Sequence, residues 1–530
     1  MSTVTELPRV AVARLSPAEE RARLDALRTT TPSLILTASD LHMGPGRDPV
    51  TGVYDATENF FGDEAFARWL TRDPAEVTST LLVLNGDIFD FVRLFAVPRT
   101  GAHWMAWAAR LEALGERERA EQLRALARLD DGSRRRAARP LIRGSEWRYG
   151  LRTDDWKTVW KLDRVLVGHA PVFDALARFV ALGGAIIVTV GNHDVEIQWP
   201  LVHQALRADL IERGLVAGWL EPIGDAAERA AERIAFADGG FTLGNVYFEH
   251  GHQYEPMTAV DGPAVLKRDP TQIAYPLGNF MNKYLINPIE RLDPFLDNVK
   301  PVENALIALM RKRPLRLLSG YVHAWRFLWE ALTMQRPKGT LGPVLTVAAA
   351  LFIPPVSVIL VGLYFLEPSW FEWIPRWLRI GGSIAGISLP AILPYLLGVL
   401  GEIKDEIVPP GDDTWVVAAR LAEIKAFEGD AAAGRAPGGA GGPVPYPHHV
   451  TFGHTHQQTA VALAGGGLYV NSGTWIPLWD VDRPDLAGEI RHTYIRFERQ
   501  PEGSYRARPV VWDDDAGAAR PPIMLGPPLF

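Results

Sequence analysis

Five short hydrophobic segments of this chain each run directly into carboxylate, amide or imidazole side chains close to a glycine. The plainest case is the apolar segment 81–84, which is followed by Asn85, Gly86 and Asp87. Such an unbroken apolar run is typical of a strand buried on both faces, and glycine lets the chain turn where the strand stops. Ligands of open α/β sheets bind at the carboxyl ends of the strands, so the pattern predicts a functional role for Asp87. Taken alone, Gly-Asp is also an ordinary turn sequence.

The other four segments end in the same way. Side chains two residues apart in an extended segment point to the same face, so we expect Asp40 and His42 to reach one ion together. The four segments and the residues that follow them are 33–39 with Asp40 and His42, 185–190 with Asn192, His193 and Asp194, 241–248 with His250 and His252, and 450–452 with His454 and His456.

Together these residues predict a metal site. Buried imidazoles and carboxylates cost stability unless they are paired or bound to metal, and packing alone does not explain so many at successive strand ends. The chain has no cysteine, which excludes thiolate ligands, thiolate catalysis and disulfides. The candidate ligands are Asp40, His42, Asp87, Asn192, His193, His250, His454 and His456.

The size of this set predicts two divalent ions, because it exceeds the roughly three or four protein ligands of a usual catalytic zinc site. Asp40 and Asp87 balance only part of the charge of two such ions. A bridging hydroxide and a phosphate oxyanion would balance the rest, and ions about 3.5–4 Å apart clamp phosphoryl oxygens during in-line displacement. Oxygen and imidazole donors suit Mn²⁺, Fe or Zn²⁺ and do not distinguish among them.

In this order, the clusters resemble the conserved blocks of the calcineurin-like metallophosphoesterase superfamily. The resemblance covers roughly residues 33–255 and 448–480. It implies an α/β fold in which two sheets pack together as a sandwich with helices outside. The matching blocks are Asp40-x-His42, Gly86-Asp87-x-x-Asp90, Gly191-Asn192-His193-Asp194, His250-Gly251 and Gly453-His454-x-His456.

The resemblance also implies a role for each residue. Asp87 would bridge the two ions, and His193 would contact the phosphate and protonate the leaving oxygen, with Asp194 or Asp90 orienting neighbouring groups. The pattern assigns nothing to His252, which we expect to support a ligand or to touch the substrate. The implied ligands are Asp40, His42, Asp87 and His456 for the first ion, and Asp87, Asn192, His250 and His454 for the second.

Within the superfamily, the opening Ser39-Asp40-Leu41-His42 and a helical insertion after the second block look like the UDP-2,3-diacylglucosamine hydrolase branch, which cleaves a pyrophosphate at the membrane surface. This sequence departs from that branch at His193, where those enzymes commonly carry arginine, and in an apolar insertion. The implied activity is hydrolysis of a phosphate ester or pyrophosphate by a metal-bridging hydroxide, on a small-molecule or lipid-linked substrate.

The apolar insertion predicts a membrane hairpin. Segments 341–366 and 380–400 carry no charge, and as helices at about 1.5 Å per residue each could cross a hydrocarbon core of about 30 Å. Aromatic and basic residues between 370 and 379 suit the membrane interface, and the basic flank between 311 and 338 favours a catalytic domain on the cytoplasmic side. A shallow monotopic anchor and a buried helical pair are the alternatives, because each segment contains prolines.

These features divide the chain into regions. We expect a first part of the catalytic domain over 1–270, with a helical cap at about 100–155, then a helical insertion over 271–430, a flexible Gly- and Ala-rich linker over 431–447, and a second part over 448–530. The arginines of the cap either face water or grip an anionic substrate. The first thirty residues contain no apolar run, so we expect no secretory signal. Instead, Ser16, Pro17 and Glu19 predict the start of a short helix, and a further helix is expected over about 155–182.

Charge and composition bear on two other functions. Lysine and arginine number 55 against 62 for aspartate and glutamate, which disfavours a dedicated duplex-binding protein. A nuclease or nucleotide phosphodiesterase is an alternative that this acidic balance disfavours, and a non-catalytic scaffold with the same fold is another. The sequence indicates no oligomeric state.

Overall fold

The computed structural model describes residues 12–222, 224–255, 258–259, 265–266, 269–290, 299–300, 449–462, 467–477, 479–480 and 490–521. The predicted hairpin segments 341–366 and 380–400 and the predicted linker 431–447 lie outside these residues. In the described part of the chain, we find no helix with both the length and the apolar character needed to cross a bilayer.

The first helix begins as the sequence predicts. Ser16 accepts a hydrogen bond from the backbone N–H of Glu19, and the Glu19 carboxylate accepts one from the Ser16 N–H at 2.7 Å, with Pro17 in the first turn. The described helices are α1 (Pro17–Arg28), α2 (Asp63–Thr71), α3 (Pro74–Val77), α4 (Gly101–Ala113), α5 (Arg117–Ala127), α6 (Asp131–Ala137), α7 (Glu146–Tyr149), α8 (Asp155–Gly168), α9 (Ala170–Ala181), α10 (Pro200–Val216), α11 (Ala226–Glu232), α12 (Leu277–Met281) and α13 (Asn287–Glu290).

The described strands form two large sheets and two small ones. They are β1 (Leu34–Ala38), β2 (Thr80–Asn85), β3 (Ala185–Thr189), β4 (Ile234–Ala237), β5 (Phe241–Leu243), β6 (Val246–Phe248), β7 (Val265–Leu266), β8 (Asp269–Ile273), β9 (Val299–Lys300), β10 (His449–Phe452), β11 (Gln458–Ala462), β12 (Leu468–Ser472), β13 (Trp479–Asp480), β14 (His492–Arg499), β15 (Tyr505–Asp513) and β16 (Ala518–Arg520).

The larger sheet has seven strands in the order β16-β15-β14-β1-β2-β3-β4. Strands β1 to β4 run parallel, whereas β14 lies antiparallel to β1 and is followed by β15 and β16 in antiparallel order. Every residue of β1 and β2 is buried, as expected of central parallel strands. The carboxyl ends of β1, β2 and β3 therefore meet at one edge, where Asp40, Asp87 and Asn192 follow them.

The second sheet has five strands in the order β11-β12-β10-β6-β5. Its centre is parallel, because β10 pairs in parallel with both β6 and β12, while β5 and β11 lie antiparallel at the edges. Pairing of β10 with β6 brings the segment before His454 beside the segment before His250. The predicted α/β class is confirmed at this level: a fold of helices and two large mixed sheets.

One hydrophobic cluster contains side chains of both sheets. It includes Ile35, Val83 and Ile187 from the seven-stranded sheet and Phe248 and Val470 from the five-stranded sheet, all almost fully buried. Burying a side chain of this size contributes about 1.5–3 kcal/mol relative to leaving it exposed. This cluster holds the strand ends of the two sheets in a fixed relation.

Two predicted elements differ from the structure. The helix expected over 155–182 is broken at His169 into α8 and α9, because Pro171 lacks the N–H that a continuous helix needs and its ring clashes with the preceding turn. The strand expected over 241–248 is a hairpin of β5 and β6, which turns at Gly244 with a φ of 57°.

The cap predicted at about 100–155 is helical, formed by α4 to α7. Trp107 of α4 packs the cap against α8, where it stacks on Trp156 at 4.7 Å between ring centroids. Arg134 is buried and donates to the carbonyl oxygens of Leu126 and Leu129, so this arginine serves the cap itself. Arg135, Arg136, Arg139, Arg143 and Arg148 are exposed.

The described residues fall into two compact units. One contains those up to Asn279 together with 449–477 and 490–521, and the other contains 280–290, 299–300 and 479–480. The second unit includes the short pair of β9 and β13, which run parallel. The predicted ligands all belong to the first unit.

Candidate metal centre

Five of the predicted ligands share an unusual backbone conformation. Among the described residues, the non-glycine positions with positive φ are Asp40, His42, Asp87, His454 and His456, with φ between 47° and 69°. Each such residue costs of order 1–3 kcal/mol and persists only where the surroundings hold it. The expectation of an extended segment through Asp40 and His42 is therefore wrong, because both residues are left-handed. Their side chains nevertheless converge.

Asp40, His42 and His456 form the first group of potential ligands. His42 Nε2 lies 3.0 Å from His456 Nε2 and 3.9 Å from Asp40 Oδ1, and His456 Nε2 lies 3.4 Å from the same oxygen. The three ligand atoms lie within 4.8 Å of one another. Two imidazoles and one carboxylate directed at a common point match the donors of a divalent ion.

The carboxylate of Asp40 is fixed from several sides. Ser39 donates to Oδ2, and the backbone N–H of His454 donates to both carboxylate oxygens at 3.0 and 3.1 Å. Ser472 Oγ lies 2.5 Å from Ser39 Oγ, and Thr474 donates to the Asp40 carbonyl at 2.6 Å. Residues after β10 and β12 thus hold a ligand that follows β1.

Asp87, His250 and His454 form the second group, whose ligand atoms also lie within 4.8 Å of one another. His250 Nε2 is 3.2 Å from Asp87 Oδ2, and its Nδ1 is 2.9 Å from the carbonyl oxygen of Asn85. Asn192 Oδ1 is buried and accepts no hydrogen bond from the described residues. The neighbouring residues Gly191 and His193 adjoin the Asp87 carboxylate, and a buried, unsatisfied amide oxygen suits a cation ligand.

The two groups adjoin each other through His42. His42 Nε2 lies 3.8 Å from Asp87 Oδ2, so the carboxylate of Asp87 faces both groups. A carboxylate in this position is able to bridge two ions. Asp87, the predicted bridging residue, is thus brought to one site with the predicted ligands Asp40, His42, His250, His454 and His456.

A third group joins His42, Asp90 and His193. Asp90 Oδ2 lies 3.2 Å from His193 Nδ1, 3.6 Å from His42 Nδ1 and 3.1 Å from Arg93 Nε. The Asp90 carboxylate therefore lies close to two imidazoles at once. The backbone N–H of His193 donates to Asp87 Oδ1 at 2.7 Å, which ties His193 to the bridging carboxylate.

Asp194 serves the backbone of the same turns. Its carboxylate accepts hydrogen bonds from the N–H groups of Gly191 at 2.6 Å, Ile88 at 2.8 Å and Phe89 at 3.3 Å. Burial, followed by the charge of Asp87, raises the pKa of Asp194 to about 7. Of the two aspartates predicted to orient neighbours, Asp90 contacts the histidines and Asp194 contacts the loops after β2 and β3.

Two glycines of the motifs are required by close packing. A Cβ on Gly191 would collide with the Asp87 carboxylate, and a Cβ on Gly86, whose φ is 82°, would collide with the His250 ring. Glycine lets these turns approach the ligands without such a collision. The glycines beside the polar clusters therefore have a steric role in the site.

The buried carboxylates of the site favour positive charge on the groups around them. Burial lowers the pKa of His250, but Asp87 and Asp40 outweigh it and raise that pKa to about 10. Burial likewise lowers the pKa of His193, but Asp90 and Asp87 raise it to about 9. Burial opposes ionisation of Asp87 too, yet His250 and His193 hold the pKa of Asp87 well below its usual range. The carboxylates thus attract either protons on histidine or a metal cation.

His252 lies beside the second group. Its ring centroid is 5.4 Å from that of His250 and 6.5 Å from that of His454, and its buried Nδ1 has no hydrogen-bond partner among the described residues. Burial and then the charges of His250 and His454 hold the pKa of His252 well below its ordinary value. A neutral imidazole therefore lines this side of the site.

Sequence reasoning missed two residues that support the second group. Glu255 Oε2 lies 2.6 Å from His454 Nε2, and the Asn279 side chain donates to the carbonyl oxygen of Asn192. The spacing His250-x-His252-x-x-Glu255 could have indicated Glu255, because histidines and a glutamate so close together are typical of ligand clusters. No local pattern indicates Asn279.

Comparisons with known proteins found no relative: no family model, no curated protein and no solved structure matches this chain. Its function is therefore argued from the geometry and chemistry of the site.

Proposed function

We propose that this chain is a metal-dependent phosphoric ester hydrolase with two divalent ions, of the calcineurin-like metallophosphoesterase type and nearest to the UDP-2,3-diacylglucosamine hydrolase-like branch. The observation that carries the proposal is the convergence of Asp40, His42 and His456 with Asp87, His250 and His454, in two adjoining groups. The proposal includes the two-sheet sandwich of that superfamily.

The donor set fits two divalent ions. Asp40, His42 and His456 would hold the first, Asn192, His250 and His454 the second, and Asp87 would be shared. Oxygen and imidazole donors without thiolate suit Mn²⁺, Fe or Zn²⁺. When bound, such a pair lowers the pKa of a water held between the ions and stabilises phosphoryl oxygens during in-line displacement.

The chain's own residues would complete the reaction. His193 Nδ1 lies 3.2 Å from Asp90 Oδ2, which leaves Nε2 to face the substrate. As water adds to phosphorus and the bond to the leaving group breaks, His193 would donate its proton to the leaving oxygen. Asp90 would keep the ring oriented, and Asp194 would hold the loops that carry Asp87 and Asn192.

The substrate would be a phosphate ester or pyrophosphate of a membrane-associated or lipid-linked molecule. This part rests on the uncharged segments 341–366 and 380–400, which we propose as a membrane hairpin with the catalytic unit on the cytoplasmic side. An enzyme held at the membrane meets a lipid-linked substrate at high effective concentration.

The test measures metal and turnover separately. We expect the full-length protein to bind two ions of Mn, Fe or Zn by mass spectrometry of the metals and to hydrolyse an aryl phosphate or its diester. His193→Ala should keep both ions and lose about 10²–10⁴-fold in turnover. His103→Ala, a cap histidine, is the matched control and should retain activity.

Two results would contradict the proposal. A protein that binds no divalent ion would rule out the metal site itself. A protein that binds two ions but hydrolyses no member of a panel of lipid, nucleotide and aryl phosphates would instead be a binding scaffold. Within that panel, the preferred substrate would identify the physiological class.

A further inference from the structure

In His250, an oxygen anchors one ring nitrogen. Its Nδ1 is held by the Asn85 carbonyl at 2.9 Å, and its Nε2 faces Asp87. An anchored nitrogen carries the N–H, so the other nitrogen presents the lone pair.

His454 is anchored in the same way, but by a residue outside the motif blocks. Its Nε2 lies 2.6 Å from Glu255 Oε2 and 3.4 Å from Thr258 Oγ1. The distance to Glu255 is that of a charge-assisted hydrogen bond from an N–H to a carboxylate. With the proton on Nε2, the lone pair of His454 lies on Nδ1.

We propose that Glu255 is a positioning residue for the second ion, because its carboxylate fixes the tautomer and ring orientation of His454. The inference rests on the proposed function, since it concerns the ion shared by Asp87, His250 and His454. Carboxylate partners of this kind make a histidine a more basic ligand, and their loss costs about 10–100-fold in metal affinity.

The local structure supports this role. Glu255 directly follows the 3-10 turn His252–Tyr254, and its backbone N–H donates to the His252 carbonyl at 3.3 Å. Thr258 Oγ1 donates to the same His252 carbonyl at 3.0 Å and lies 3.5 Å from Glu255 Oε2. The chain that leaves His250 thus folds back to place a carboxylate on His454.

The Glu255 side chain is also more exposed to solvent than the side chains of the predicted ligands. Its side chain is 47% exposed, whereas that of Asp87 is 2% exposed. Removing this half-exposed carboxylate therefore opens no cavity that is sealed from solvent. The effect of a substitution should fall on metal binding and not on folding, which separates this role from a structural one.

The test is a titration of the metal-free full-length protein with Mn²⁺ alone, followed by calorimetry and by electron paramagnetic resonance of the coupled pair. In Glu255→Ala, we expect the second binding event to weaken about 10–100-fold and the first to be unchanged. Glu255→Gln should lie between Glu255→Ala and the wild type, because an amide oxygen still accepts the N–H but carries no charge.

Glu64→Ala is the matched control, because Glu64 is 46% exposed and pairs with Arg47 at 3.4 Å away from the ligands. It should titrate like the wild type, and all variants should melt alike without metal. A Glu255→Ala protein with two unchanged binding events would overturn the inference and leave the proposed function standing. A wild-type protein that binds fewer than two ions would overturn both.

Discussion

Substitution of His169 tests whether a buried ion cluster supports the loop that follows His42. Both ring nitrogens of His169 face carboxylates: Nδ1 lies 2.8 Å from Asp63 Oδ1, and Nε2 lies 3.1 Å from Glu58 Oε2. Burial lowers the pKa of His169, but Glu58 and Asp63 outweigh it and raise that pKa to about 9. The imidazole is therefore charged and fully enclosed at neutral pH.

The contribution of His169 to the folding free energy follows from the difference between its pKa values in the folded and unfolded states. A rise from the ordinary value of about 6.5 to about 9 corresponds to about 3 kcal/mol of folding free energy, at about 1.36 kcal/mol per pKa unit. Because the folded-state pKa lies above the unfolded one, this stability is fully present below about pH 6.5. It is lost as the pH rises from there through about 9.

The measurement is urea denaturation at several values between pH 6 and pH 9.5, with a chelator present so that metal binding does not contribute. The wild type should lose about 3 kcal/mol more than His169→Gln across this window. His169→Gln should already be less stable at pH 6.5, by about 3–5 kcal/mol, because it leaves two buried carboxylates uncompensated. The control is His103→Gln, a substitution in the cap.

Parallel pH profiles for the wild type and His169→Gln would refute this reasoning. They would mean that the His169 pKa is not raised in the folded state. The consequence for the site is local, because Glu58 also accepts hydrogen bonds from the N–H groups of Gly44 at 3.3 Å and Gly46 at 2.6 Å. The same cluster thus holds the turn after His42, a predicted ligand.

Three further predictions follow from contacts in the same unit. Lys161→Met should destabilise the protein by about 3–5 kcal/mol, because it leaves the buried Glu196 carboxylate without its cation. An unchanged midpoint of urea denaturation would contradict this prediction. Gly191→Ala should lower metal content, measured by mass spectrometry of the metals, because the added Cβ would collide with the Asp87 carboxylate. The control is Gly132→Ala, which should not lower metal content, because the atom nearest to its added Cβ is 3.5 Å away. Removal of metal should lower the melting temperature, and Mn²⁺ at about 100 times its dissociation constant should restore about 2.7 kcal/mol; a melting temperature insensitive to both would argue against the metal site.

The polar side chains that follow the buried strands could be predicted from the sequence because this pattern follows local rules. An unbroken apolar run such as 81–84 is buried wherever it lies in a sheet, and Gly86 permits the turn that presents Asp87. The capping box at Ser16 and Glu19 is equally local and is confirmed. Rules of this kind act over a few residues, so they apply before the chain has folded.

The backbone conformation of the ligands was not predictable in this way. Asp40 and His42 were expected in an extended segment and are left-handed instead. That conformation costs energy locally and is held by contacts from distant residues, such as the hydrogen bonds that His454 and Thr474 donate to Asp40. The break at His169 has both origins, since Pro171 prevents a continuous helix and Asp63 and Glu58 hold the two buried ring nitrogens of His169.

The sequence by itself determined which side chains stand at the ends of buried strands, because apolar runs and glycine turns depend on neighbours along the chain. Only the tertiary structure decided which of them meet. Pairing of β10 with β6 joins residues about two hundred positions apart, and it brings His454 beside Glu255. The physical reason is that burial of one shared hydrophobic core selects the partners of each strand, and that core forms only when the distant segments come together.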